Sequence, residues 1–258
     1  MESGWNHRPG GARHMYWLLK YVLLGPLLRL IFRPKVQGLE NIPGEGPVIL
    51  AANHLSFIDS FFIPLVVKRP VVYLGKADYF DSWRTRWFMR IAHVIPVRRE
   101  DGTASEAAIN TGIRALREGR IVGIYPEGTR SPDGRLYRGK TGVARMAVEA
   151  RVPVIPVGVT GTDEVMPIGR RFPKLKGGKV QVQFGRPLSF ERFHDRPKDR
   201  FVLRSVTDEI LYEIMMITGQ EYVDEYAARV KKELSEEQTS SGPSVRVNDQ
   251  APVPAASR

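Results

Sequence analysis

The sequence predicts an α/β domain with a mostly parallel sheet flanked by helices, preceded by an N-terminal membrane-associated helix. Three observations predict it. Short apolar runs alternate with longer segments of helical apolar period along the middle of the chain. The best of these runs, Val48-Ile49-Leu50-Ala51-Ala52, is apolar at consecutive positions, as strands covered on both faces are. With 42% hydrophobic and 26% charged residues among 258, the chain also has enough apolar side chains for a sizeable core.

Residues 1–13 are Gly-rich and polar and read as a disordered N-terminus. Residues 14–34 hold the most apolar segment, from His14 to Phe32, and read as a membrane-associated helix. A spanning helix needs roughly 20 apolar residues. This run is shorter and carries Lys20, Pro26 and Arg29, so a helix lying in the membrane interface is favoured over one that crosses it. Against that, Lys20 and Arg29 fall on opposite faces of an α-helix. Lys20 and the following Arg33-Pro34-Lys35 also argue against a secretory signal.

Residues 35–237 form the predicted domain. Strands are expected at Pro47–Ala52, Val71–Leu74, Val94–Val97, Arg120–Tyr125, Val152–Val159 and Val180–Phe184. Helices are expected at Asp59–Val67, Ser82–Ile91, Ser105–Glu118 (stopped by Gly119), Thr141–Ala150, Lys198–Gly219 and, as a charged helix, Tyr222–Glu237. Residues 238–258 are rich in Ser, Pro, Ala and Gly and read as a disordered tail.

The formal charge of +11 points to an anionic partner: nucleic acid, an acidic membrane surface or phosphorylated substrates. The lack of Cys excludes disulfides, thiolate metal sites and a cysteine nucleophile, and five scattered His with no H-E-x-x-H pattern argue against zinc. There is no G-x-S-x-G elbow, no G-x-G-x-x-G and no RNP or zinc-finger pattern to support nucleic-acid binding.

Four segments could carry chemistry. In Asn53-His54-Leu55-Ser56-Phe57-Ile58-Asp59, His54 and Asp59 are the parts of a general base with an orienting carboxylate. On one continuous helix their side chains would lie about 140° apart. They meet only if His54 lies on a strand-to-helix turn and Asp59 in the first helical turn, which is where the pattern puts them. Ser56-x-x-Asp59 equally fits a capping box with Asp59 as the third helical residue, and the two readings are compatible. The second segment, Tyr125-Pro126-Glu127-Gly128-Thr129-Arg130-Ser131, follows a strand. Ligands bind beyond strand carboxyl ends in open α/β sheets, and Arg130 can grip phosphate bidentately. A plain surface turn would have the same composition.

The third, Gly134 to Thr141, matches the P-loop pattern. Its variable positions are Arg135, Leu136, Tyr137 and Arg138, too bulky to wrap phosphate, and no strand leads directly into it. The softer reading is that Thr141 starts a helix and Lys140 adds positive charge near an anion site. The fourth runs from Gly75-Lys76 through Ser82–Ile91 to Ile95-Pro96-Val97-Arg98-Arg99. Its Trp83, Trp87 and Ile91 stripe beside Arg86 and Arg90 suits a membrane interface, or an ordinary core helix with a solvated face.

In their order, these segments resemble the glycerolipid acyltransferases of the lysophosphatidic acid (1-acylglycerol-3-phosphate) type. The carriers are Asn53, His54 and Asp59; Gly75-Lys76 with Ile95 to Arg99; Pro126 to Ser131; and Val152 to Val157. The resemblance covers Val36 to Pro187. Ala77-Asp78 depart from the family's frequent Glu-Leu pair, which bears on acceptor and acyl-chain preference. The resemblance implies acyl transfer from a thioester, acyl-CoA or acyl-carrier protein, to the hydroxyl of a lysophosphatidic-acid-like acceptor, with no cofactor and no metal. His54 would be the general base and Asp59 its support. Arg130 would bind the acceptor phosphate, with Glu127, Gly128 and Thr129 shaping the pocket and Lys76 and Arg99 as further phosphate ligands. The implied partners are a membrane phospholipid surface, the thioester donor and the phosphate-bearing lipid, at the cytoplasmic face of a membrane, and no nucleic acid. Glycerol-3-phosphate, another lysophospholipid or a glycolipid remains an alternative acceptor. An NTP-binding protein using Gly134 to Thr141 and an inactive basic membrane-binding module remain alternative classes.

Overall fold

A computed structural model describes residues 18–76, 94–97, 104–170, 172–174 and 179–240. Among them are nine strands: β1 (Lys35–Gln37), β2 (Val48–Ala52), β3 (Val71–Lys76), β4 (Val94–Val97), β5 (Ile121–Ile124), β6 (Leu136–Tyr137), β7 (Val154–Thr160), β8 (Gln181–Phe184) and β9 (Tyr222–Val223). Seven form one sheet in the order β1-β8-β7-β2-β5-β3-β4, and β6 and β9 form a separate ribbon. Within the large sheet only the β7–β8 pair is antiparallel. This is the mixed α/β architecture with a mostly parallel sheet that the apolar runs indicate.

The centre of the sheet explains why β2 is apolar at every position. Val48, Leu50 and Ala52 pack into one core cluster, and Ile49 and Ala51 into the other. The first cluster is closed by α1 (Leu24–Phe32) and α2 (Asp59–Val66), whose Phe32 and Phe62 rings meet edge to face at 5.8 Å. The second is closed by α3 (Ala104–Arg117), α4 (Gly142–Ala150) and α6 (Arg200–Thr218). Asp199 starts α6, its Oδ1 accepting from the amides of Phe201 and Val202. A single turn, α5 (Thr162–Val165), follows β7, and α7 (Ala227–Ser240) closes the described chain.

Several expectations are revised. The three strands β1, β6 and β9 were not foreseen; each is two or three residues long and held by backbone pairing, with no apolar run to announce it. The expected helix Tyr222–Glu237 is split. Tyr222 and Val223 pair with Leu136 and Tyr137, and the helix begins only at Ala227. The expected helix Ser82–Ile91, Ala77-Asp78, residues 1–13 and residues 241–258 lie outside the described residues.

At the N-terminal end, the conflict between Lys20 and Arg29 is resolved by a π-turn, Leu19–Leu23, that runs into α1. A π-turn advances less per residue than an α-turn, so two positions that an unbroken α-helix would place opposite each other rotate toward one side. Lys20 Nζ donates to the carbonyl of Val67, and Arg29 Nη2 to that of Leu65 at 3.1 Å. Both cations thus satisfy carbonyls at the C-terminal end of α2, where positive charge also suits the helix dipole. Burial, then the neighbouring Arg29 charge, lowers the Lys20 ammonium to about 8. Leu18, Tyr21, Val22, Leu27 and Leu30 stay exposed. No helix among the described residues is long and apolar enough to cross a membrane.

Candidate active site

Strand β2 lies between β7 and β5, and all three run the same way. Their carboxyl ends therefore open on one edge of the sheet, where α/β folds place their ligands. Asn53, the first residue beyond β2, is fully buried and locks that edge. Its Oδ1 accepts from Val159 N at 2.7 Å, and its Nδ2 donates to Val159 O and Gln220 Oε1, each at 2.8 Å.

His54 and Asp59 meet as the strand-to-turn-to-helix placement requires. His54 Nδ1 lies 2.9 Å from Asp59 Oδ2, and the same oxygen accepts from the amides of Leu55 and Ser56, each at 2.8 Å. Asp59 is fully buried and is the first residue of α2. The capping-box expectation is half correct. The carboxylate does reach back to Ser56 N, but the Ser56 hydroxyl donates to Met166 O at 2.6 Å instead of capping the helix, and Asp59 N donates to the Ser56 carbonyl. A carboxylate accepting two backbone N–H groups can take a third donor, and an imidazole with its proton on Nδ1 would supply one. The imidazole stacks on Tyr125, with centroids 3.9 Å apart and planes 11° from parallel. Tyr125 in turn lies against Tyr73 and hydrogen-bonds Ser60 at 2.9 Å. Burial pushes the Tyr125 phenol well above its usual range.

The loop after β5 grips His54 by its backbone. Glu127 Oε2 accepts from His54 N at 3.1 Å, and Ser131 N donates to His54 O at 2.7 Å. Glu127 Oε1 accepts from Tyr137 N at 3.0 Å. The Glu127 carboxyl, 1% exposed, thus joins the His54 turn to the β6–β9 ribbon. Burial raises its pKa to about 7.

Positive side chains gather on the outer side of this loop. Gly128 has φ +73, and a Cβ there would stand 3.2–3.3 Å from the Lys140 side chain, so glycine suits both the backbone and the lysine that crosses it. Thr129 Oγ1 accepts from Lys231 Nζ at 2.9 Å. Burial, then the charge of Arg130, lowers the Lys231 ammonium. Lys76 ends β3, two strands from β2 on the same edge of the sheet, with its backbone opposite Val97. Arg99 lies outside the described residues. Beside the loop, a cleft of about 330 Å³ is walled by Leu55, Ser131, Gly134, Pro167 and Ile168, among others.

The segment Gly134 to Thr141 is no phosphate-wrapping loop. Leu136 and Tyr137 are buried strand residues, and six of the backbone amides are committed elsewhere. Gly134 N donates to Ser131 Oγ, Arg135 N to Asp133, Leu136 N to Glu221 O, Tyr137 N to Glu127, Arg138 N to Val223 O and Lys140 N to Pro126 O. Free amides are what a P-loop offers its nucleotide. Tyr125, Gln220 and Lys231 were missed by sequence reasoning. Tyr125 opens the second segment but was given no role there. Gln220 and Lys231 come from far along the chain: Gln220 follows α6, and Lys231 follows the strand β9 that pairs with β6.

The acyltransferase family profile matches residues 33–160. The chloroplastic 1-acyl-sn-glycerol-3-phosphate acyltransferase BAT2 of Brassica napus is 32% identical over 158 residues, covering 61% of this chain and 45% of its own length. The 1-acyl-sn-glycerol-3-phosphate acyltransferase of Bacillus subtilis is 31% identical over 165 residues, covering 63% of this chain and 77% of its own. The chain thus spans less than half the length of the chloroplastic relative. The crystal structure of the 1-acyl-sn-glycerophosphate (LPA) acyltransferase PlsC from Thermotoga maritima matches with a TM-score of 0.58 and 25% identity, over 78% of this chain and 84% of that one. With its parallel sheet and these matches, the chain belongs to the acyltransferase family, of the 1-acyl-sn-glycerol-3-phosphate acyltransferase type.

Proposed function

We propose that this chain transfers an acyl group from an acyl thioester, acyl-CoA or acyl-carrier protein, to the hydroxyl of a lysophosphatidic-acid-like acceptor. The observation that carries this reading is the 2.9 Å contact between His54 Nδ1 and the buried Asp59 carboxylate at the carboxyl end of the central strand. His54 Nε2 takes the acceptor's hydroxyl proton as its oxygen bonds to the thioester carbonyl. Asp59 steadies the imidazolium that forms. Collapse of the tetrahedral species breaks the C–S bond, and the proton leaves with the thiolate. A thiol pKa of about 8.5 means that departure needs little acid help. Arg130 holds the acceptor phosphate.

The surface of the first helix supports membrane docking. Leu18, Tyr21, Val22, Leu27 and Leu30 form its exposed apolar set, while Lys20 and Arg29 are turned toward α2. Such a face lies in the headgroup boundary, where the acceptor resides.

Three outcomes are expected. Purified protein forms phosphatidic acid from thioester and lysophosphatidic acid; His54→Ala lowers kcat by about 10²–10⁴-fold with an unchanged near-ultraviolet circular dichroism spectrum, and Asp59→Asn also lowers it. Undiminished turnover in His54→Ala contradicts the mechanism. Second, a Leu27→Ser, Leu30→Ser double variant binds anionic phospholipid vesicles about tenfold more weakly in co-sedimentation; equal binding removes that face from the docking surface. Third, Glu127 holds its proton in the folded state up to about pH 7 but ionises near 4.5 when unfolded. The folded state therefore binds the extra proton, and stability falls as pH rises between those values, by about 3 kcal/mol from this group. Urea melts at both ends of that window should show the fall in the wild type and its loss in Glu127→Gln.

A further inference from the structure

The C-terminal helix α7 lies wholly beyond residues 33–160, the part matched by the family profile. It nonetheless puts one ammonium group onto the loop that carries Arg130. The placement is specific. Strand β9 is pinned to β6, Arg138 N donates to the carbonyls of Val223 and Glu225, and Ala227, the first residue of α7, is fully buried. One turn later Lys231 reaches Thr129.

Lys231 differs from its neighbours. Arg229 pairs with Glu233 at 2.8 Å, and Lys232 with Glu236 at 3.7 Å, each four residues on along the helix. Four residues on from Lys231 stands Ser235. Among the described residues, no carboxylate lies within ion-pair distance of Lys231, Arg130 or Lys140. The acid whose charge acts on Lys231 is Glu127, whose oxygens are already taken by His54 N and Tyr137 N. Three cations therefore border residues 128–130 without a paired acid. Like charges brought together cost free energy unless an anion joins them.

We propose that Lys231 is a ligand of the acceptor's phosphate, donating through Nζ to a phosphate oxygen opposite Arg130 while Thr129 Oγ1 holds the ammonium in position. This rests on the acceptor reading above. An ammonium with three donors can keep the threonine bond and still offer two to the ligand. In this arrangement a helix outside the family-matched segment completes the site and favours a phosphate monoester over an uncharged acceptor.

The phosphate could belong to the lipid acceptor or to coenzyme A, and steady-state kinetics with both substrates varied separates them. The measurements use wild type, Lys231→Ala, Lys231→Met and Lys231→Arg, with lysophosphatidic acid and palmitoyl-CoA or palmitoyl-acyl-carrier protein, whichever the wild type accepts. The expected result is a rise of about tenfold or more in the KM for lysophosphatidic acid in Lys231→Ala and Lys231→Met alike. The donor KM stays within twofold, melting temperatures are preserved, and Lys231→Arg recovers most of the loss. Methionine keeps the apolar stem, so it separates lost charge from lost packing if alanine unfolds the helix. An acceptor KM within twofold of wild type in the methionine variant overturns the proposal, as does a rise confined to the donor KM. Failure of the wild type to acylate lysophosphatidic acid at all would instead overturn the acceptor reading on which this rests.

Discussion

One carboxylate oxygen organises this protein's site. Asp59 Oδ2 lies 2.9 Å from His54 Nδ1 and accepts from the amides of Leu55 and Ser56, each at 2.8 Å. A buried carboxylate is tolerated only where its charge is met by donors, and here the donors come from the turn it must shape. The same three bonds end β2, start α2 and fix the imidazole. A continuous helix through His54 and Asp59 would separate them. A longer loop would leave the carboxylate buried without partners.

The rest of the molecule holds that turn at the edge of the sheet. Asn53 ties the end of β2 to β7, and Glu127 with Ser131 ties His54 to the loop after β5. Glu127 also reaches Tyr137, so the ribbon β6–β9 is fastened to the same turn, and α7 follows from the ribbon. On the opposite side, Lys20 and Arg29 close the far end of α2, the helix that Asp59 begins. The apolar face of the first helix is thereby joined to the site through eight residues of helix. The proposed lipid surface and acceptor phosphate would lie toward the two ends of that path.

Much of this was legible in the sequence, and what was not has physical reasons. Consecutive apolar residues in β2 announce a strand covered on both sides, and the break at Asn53 announces the turn. The motif spacing could not tell which group of Ser56 meets Asp59, because its amide and its hydroxyl fit one spacing equally well. The resemblance gave Glu127 a pocket-shaping role, and a carboxylate in a polar loop gives no sign that it is also buried between two amides. Lys20 and Arg29 read as opposed because an α-helical period was applied across a π-turn. Lys231 was hidden by distance: it stands 102 residues from Thr129, in a helix full of charges, and is brought there by a two-residue strand without an apolar pattern. Its one local sign is the serine four residues on, where its neighbours have glutamates.

The central claim is that Asp59 holds His54 with the proton on Nδ1 and Nε2 bare. Nitrogen-15 spectra of histidine-labelled protein, recorded above the pH at which the imidazole ionises and assigned by difference with His54→Gln, read this directly. The expected spectrum has a protonated, pyrrole-type Nδ1 and an unprotonated, pyridine-type Nε2 for His54, a preference that weakens in Asp59→Asn. A wild-type His54 whose proton resides on Nε2 would contradict the assignment of His54 as the base.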